Sequence, residues 1–194
     1  MPTPRSTWPA PTCDDPRLMP SFSFEGLRPQ IAADAFVAPT ATLIGDVIVE
    51  AGASVWYNAV IRADYAPVIV RRGANIQDGA VLHGPPGLTT DVGPGATVAH
   101  NCVIHGAVLG EECLIANGSV VLDGATVGNR SLVAAGSLVA AGFIVPDGTL
   151  VAGSPAVVKR PVAGSPAEFW VRANPSAYAE LAERHRRGTE YLGG

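Results

Sequence analysis

Aromatic side chains are scarce in this 194-residue chain, at 6%, although 47% of its residues are hydrophobic. A core of that kind rests on small aliphatic residues, and 22 glycines with 17 prolines supply many corners, which favours β architecture. Basic residues are missing from a long stretch: there is no Lys or Arg between Gly73 and Asn129. With a net charge of -4, this leaves no electrostatic footprint for nucleic acid. No apolar run approaches the roughly 18 residues that would span a bilayer, and the N-terminus lacks the apolar core of a signal peptide, so no membrane partner and a cytoplasmic location are expected. Three cysteines, Cys13, Cys102 and Cys113, cannot all pair within one chain, and their spacing matches no zinc module. The last two are expected to be buried reduced thiols.

What the chain does have, from residue 37 onward, is a repeat. Aliphatic residues recur every six positions at Val37, Leu43, Val49, Val55 and Ile61, then at Val70, Ile76 and Leu82, then at Val92, Val98 and Ile104, and finally from Leu109 to Val151 without a break. A small residue such as Ala53, Ala80, Cys102 or Ser119 follows many of them by four positions. That period is the signature of a hexapeptide β-helix: each hexad is a short strand plus a corner, and three hexads close a triangular coil. Coils stack at the strand spacing of about 4.8 Å. Nineteen hexad positions make roughly six coils, each burying its apolar face only against its neighbours. The expected organisation is an N-terminal extension at 1–30, an all-β solenoid at 31–160 and a helical segment at 161–194.

Breaks in the phase bracket three of the four histidines. The interval from Ile61 to Val70 is 9 residues, that from Leu82 to Val92 is 10, and that from Ile104 to Leu109 is 5. Loops therefore project after Asp64 and after His83, and insertions on such scaffolds cluster on the binding face. With the loops subtracted, Arg62, His83 and His105 fall in one column on one corner. His100, two positions after Val98, lies on the preceding side of the triangle, where only a neighbouring subunit could join it to the pair. Three histidines with an open fourth position form the ligand set of a catalytic zinc, although imidazole ligands suit Fe2+ or Co2+ as well. Gln77, on the corner before His83, would stand beside a metal-bound hydroxide, while Arg62, Asp64 and Asp78 would pair charges near the boundary between subunits.

Taken together, SVWYNAVIRADY, NIQDGAVLHG, TVAHNCVIHG and VAGSPAVVKR resemble the γ-class carbonic anhydrase family over about residues 30 to 187. The resemblance implies a left-handed parallel β-helix, a homotrimer and one metal per interface, held by His83 and His105 of one subunit and His100 of the next. It further implies reversible hydration of CO2 to bicarbonate, with Gln77 bonding the metal-bound water and Arg62, Asp64 and Asp78 forming an ion-pair network. There are departures from the family pattern. Tyr65 stands where a proton-moving glutamate is expected, Asp91 is the only carboxylate in the loop near His83, and Ala99 replaces a glycine before His100; low activity follows. Two other readings stay open: a thioesterase or acyltransferase acting on a coenzyme A ester, with Arg71, Arg72 and Arg130 as the nearest cations for its phosphates, and a non-catalytic metal-binding trimer.

At the C-terminal end, Ser165-Pro166 and Asn174-Pro175 each read as an N-cap followed by Pro at the first helical position. Two helices are expected, at 167–173 and 176–187. Phe169, Trp170, Tyr178 and Leu181 would pack on the prism. His185, Glu180, Glu183, Arg184 and Arg187 would face solvent.

Overall fold

The computed structural model describes residues 20–190 and residue 192. The hexads form short parallel strands that wind into a left-handed β-solenoid of about seven turns, closed by one C-terminal helix. Each side of the prism carries one inward column. Val37, Val55, Ile76, Val98, Ile115, Val133 and Val151 fill the first, Leu43, Ile61, Leu82, Ile104, Val121 and Val139 the second, and Val49, Val70, Val92, Leu109, Val127 and Val145 the third, all buried. The small residues sit between these columns. Where they are polar they are satisfied internally: Ser119 donates to the Ala134 carbonyl at 2.9 Å and Ser131 to that of Pro146 at 2.6 Å. This is a close-packed interior with no room for large side chains, which accounts for the scarcity of aromatics.

Coil formation begins before residue 37. Ser21–Phe22 and Gln30–Ile31 already pair in parallel with Thr42–Val49. Most of the expected N-terminal extension, including Cys13, lies outside the described residues.

The helix, α1, differs from expectation. It is a single element, Ala167–Gly188, that runs through Pro175, and it has no side-chain cap. The Ser165 hydroxyl donates backward to the Val162 carbonyl at 2.6 Å, and that of Ser176 to Ala173 at 3.1 Å. An interior proline costs about 3 kcal/mol, and the packing of α1 at both ends offsets it. One end buries Val171 with Leu114, Leu132 and Val162. The other buries Ala182, beside Tyr178 and Leu181, against Phe36, Ala38 and Trp56. Phe169 and Trp170 do not pack on the prism as expected; they are mostly exposed and stack edge to face on each other. His185 is also corrected. Its ring lies among Phe36, Trp56 and Tyr57, and Tyr57 Oη is 3.1 Å from its Nδ1.

Candidate functional site

Two corners of the prism carry the candidate residues. At one, strand pairing places Arg62 beside His83 and His83 beside His105. Each side chain follows an inward aliphatic residue, so the pleat turns it outward. The strands approach closely there because each histidine is followed by glycine. A Cβ at Gly84 would lie 2.2 Å from the Ala66 carbonyl oxygen, and Gly106 adopts φ +57.

The two rings are joined: His83 Nδ1 lies 3.0 Å from His105 Nε2. Their outer nitrogens meet carboxylates, His83 Nε2 with Asp64 Oδ1 at 2.9 Å and His105 Nδ1 with Asp123 Oδ1. Arg62 donates to the second oxygen of Asp64. Burial pushes the Asp64 carboxyl up, but the hydrogen bonds from His83 and Arg62 outweigh it and hold the group below the usual carboxylate range. Beneath the rings, the buried Thr90 hydroxyl donates to the His83 carbonyl at 2.6 Å and accepts from the Gly106 amide at 2.9 Å. It links the backbones of both histidines. Tyr65 is exposed above His83, with ring centroids 6.4 Å apart.

A proton count gives this chain its chemistry. Three contacts, Asp64 to His83, His83 to His105 and His105 to Asp123, need three N–H protons on four ring nitrogens, and two neutral imidazoles carry only two. One of the three contacts is therefore left without a hydrogen while both rings are neutral.

The other corner holds His100, Gln77 and Asp78. His100 Nδ1 is 3.0 Å from Asp78 Oδ2, and its Nε2 is 3.3 Å from the Tyr178 hydroxyl on α1. Burial, then the nearby Asp78 charge, raises the Tyr178 pKa above the ordinary phenol value, so it stays a phenol. Gln77 is buried, and its Nε2 donates to Asn75 Oδ1 at 3.0 Å, while Asn75 donates to Thr97 Oγ1 at 2.9 Å. Between this corner and α1 lies a cavity of about 350 Å³.

Within one chain, then, Arg62, Asp64, His83 and His105 come together, and Gln77, Asp78 and His100 form a second group. Asp123, Thr90 and Tyr178 were missed. Asp123 stands in the next coil two positions after Val121, the partner of Ile104, whereas His105 follows Ile104 by one, so the five-residue interval sets it one step off the histidine column. The remaining candidates are committed elsewhere. Asp91, expected as a proton relay, is gripped by Arg71 through Nε at 2.9 Å and Nη2 at 2.7 Å. Burial lifts the Cys102 thiol to about 11 and the Cys113 thiol to about 12, so neither supplies a thiolate at neutral pH.

The zinc expectation, with its Fe2+ and Co2+ variants, is corrected on the same geometry. The ring nitrogens of His83 and His105 face each other and two carboxylates, and those of His100 face Asp78 and Tyr178. Among the described residues no three His, Cys, Asp or Glu side chains are grouped to hold a metal ion.

Comparison with known proteins gives a different family. Residues 106–141 match the bacterial transferase hexapeptide family (six repeats). The chain is 43% identical over 170 residues to the carnitine operon protein CaiE of Salmonella typhi, covering 88% of this chain and 85% of that protein. Among solved structures, a hexapeptide transferase family protein from Anaplasma phagocytophilum is 34% identical with a TM-score of 0.79, covering 84% of this chain and 96% of its own. A Bacillus cereus protein described as a "putative acetyltransferase" is 32% identical with a TM-score of 0.84, covering 87% and 98%. These relatives overturn the expected lyase activity. Neither carbonic anhydrase nor CO2 as its substrate is supported; the family these relatives share is named for transferases.

Proposed function

Since the chain belongs to the hexapeptide-repeat transferase family that includes the CaiE carnitine operon proteins, we propose that it is an acyltransferase moving an acyl group from a coenzyme A thioester to a small acceptor. The observation that carries this reading is the Asp64–His83–His105–Asp123 chain. As the acceptor's nitrogen or oxygen attacks the thioester carbonyl, its proton passes to the imidazole pair, which thereby completes its third hydrogen bond. The new C–N or C–O bond forms, the C–S bond breaks, and the proton goes on to the departing thiolate. Asp64, fixed by Arg62, orients His83; Asp123 orients His105. Cys102 and Cys113, the two cysteines among the described residues, are held as buried thiols, so neither carries an acyl intermediate and transfer in this reading is direct. Arg71 is occupied by Glu50 and Asp91, and Arg130 by Glu112, so of the three cations weighed for the phosphates of coenzyme A the exposed Arg72 is the one left to bind them.

The working unit in this reading is a homotrimer. Val60, Val81, Val103, Val120 and Leu138 stand in register as an outward aliphatic column on the side of the prism between the two corners. Their inward neighbours already fill the core, so this second apolar stripe calls for a partner. Three copies turning that side toward a threefold axis would set the His83–His105 corner of one against the Gln77–His100 corner of the next, a head-to-tail contact that closes.

The test is release of coenzyme A thiol from acetyl-CoA with and without acceptors. His83→Asn should lower the rate by about 10²–10⁴-fold. Mixing His83→Ala with His100→Ala subunits should restore part of the activity, because some interfaces of mixed trimers then carry both intact corners. A chain that neither binds acetyl-CoA nor releases thiol would end the transferase reading.

A further inference from the structure

The cavity between the prism and α1 has a chemistry that narrows what it could hold. Its floor is small and apolar, with Ala99, Ala116 and Leu132. Its polar groups are Gln77, His100, Asn117, Asn174 and Tyr178, and Trp170 closes one side. Among the described residues no Lys or Arg lines it, and none occurs between Gly73 and Asn129. A fixed negative charge is tied to its lining: Asp78, through His100. Gln77, which lines the cavity, is only 2% exposed, and its amide nitrogen is used by Asn75, so its carbonyl oxygen is the group left to accept a hydrogen bond.

A carboxylate or phosphate ligand would meet no cation here. An alkylammonium would find an amide oxygen, a neighbouring carboxylate and the π surface of Trp170, with room for a short apolar body on the alanine floor. A volume of about 350 Å³ is at the lower end of small-molecule sites. We propose that this cavity is the acceptor subsite and that its ligand is a small primary amine arriving as the ammonium ion. Its role as acceptor rests on the transferase reading and on the neighbouring subunit's histidine pair. The balance is simple: the ammonium gives one proton to water, the amine nitrogen forms the C–N bond as the C–S bond breaks, and the second proton ends on the coenzyme A thiol.

The experiment uses three probes with one carbon skeleton, butylamine, butanol and butyrate, on the native protein. Titration is followed at the indole N–H resonance of Trp170, assigned with Trp170→Phe, and in parallel by thiol release from acetyl-CoA. Butylamine should shift the Trp170 resonance with an affinity about tenfold above butanol, the size of one ammonium–aromatic contact. It should also yield the N-acetylated amine. Ala116→Leu, which fills the floor, should remove saturation by the amine. Equal or tighter binding of butyrate or butanol, or no shift at Trp170, overturns the proposal even where acetyl-CoA is consumed. A saturable amine shift without any acetyl-CoA binding upholds the ammonium site and removes the transferase reading.

Discussion

At the residue scale the site depends on groups that hold the histidines as much as on the histidines themselves. Thr90 returns the chain after the 84–89 loop and ties the His83 carbonyl to the Gly106 amide. Thr90→Val keeps the shape but leaves buried polar groups with poorer partners, a loss of about 1–3 kcal/mol. Thermal unfolding should show that loss, kcat should fall more than KM rises, and Thr90→Ser should restore both. Asp64 sets an acid limit. Its folded-state pKa lies below the ordinary carboxylate value of 3.8, so its contribution to stability is present above that value and is lost as pH falls through the folded pKa. Asp64→Asn should therefore flatten the stability profile below about pH 4, read by urea unfolding at stepped pH; an unchanged slope would mean that Arg62 and His83 do not hold the carboxylate in solution. The histidine column was legible in the sequence because Arg62, His83 and His105 each follow a phased aliphatic residue. Their hydrogen-bond partners were not, because Asp123 and Thr90 follow from the insertions and the five-residue interval, which no period reports.

At the scale of elements, the solenoid and the helix differ in how far sequence determines them. A hexad writes its own structure: one aliphatic inward, one small residue inward, and a corner such as Asn101 at φ 57. The period therefore carried the strands and the inward columns. The helix answers instead to the surface beneath it. Local rules divide Ala167–Gly188 at Pro175, yet contacts with Val162 at one end and Trp56 at the other keep it continuous. The same contacts explain why Phe169 and Trp170, apolar by composition, stay mostly exposed: α1 buries Val171 and packs Tyr178 against the prism, while Trp170 reaches only the rim of the cavity beside them. His185 belongs to this surface as well. His185→Ala should loosen the C-terminal half of α1, raising hydrogen exchange from about Tyr178 onward while the coils stay protected. Equal exchange in mutant and native chains would show that Ala182 and Leu181 suffice to dock it.

At the scale of the whole molecule, the three sides of the prism have different uses. One lies under α1. The side between the two corners presents Val60, Val81, Val103, Val120 and Leu138, one aliphatic per coil. The remaining side breaks its outward column with Asp91, which Arg71 holds, and with Thr126. Only the second can supply an extended dry contact, and it is flanked by the two half-sites. Association and function are therefore coupled in the trimer reading: no single chain brings His100 to the His83–His105 pair. Val103→Asp tests this, because Val103 lies in the middle of the column with its side chain outside the core. The substitution would place three carboxylates around the axis, a like-charge cluster that should disperse the assembly at micromolar concentration. Light scattering should then report monomer while far-ultraviolet circular dichroism keeps the native spectrum, and transfer should fall with the trimer. A Val103→Asp protein that stays trimeric would place the contact on another side of the prism; one that is monomeric yet fully active would show that each chain carries a complete site.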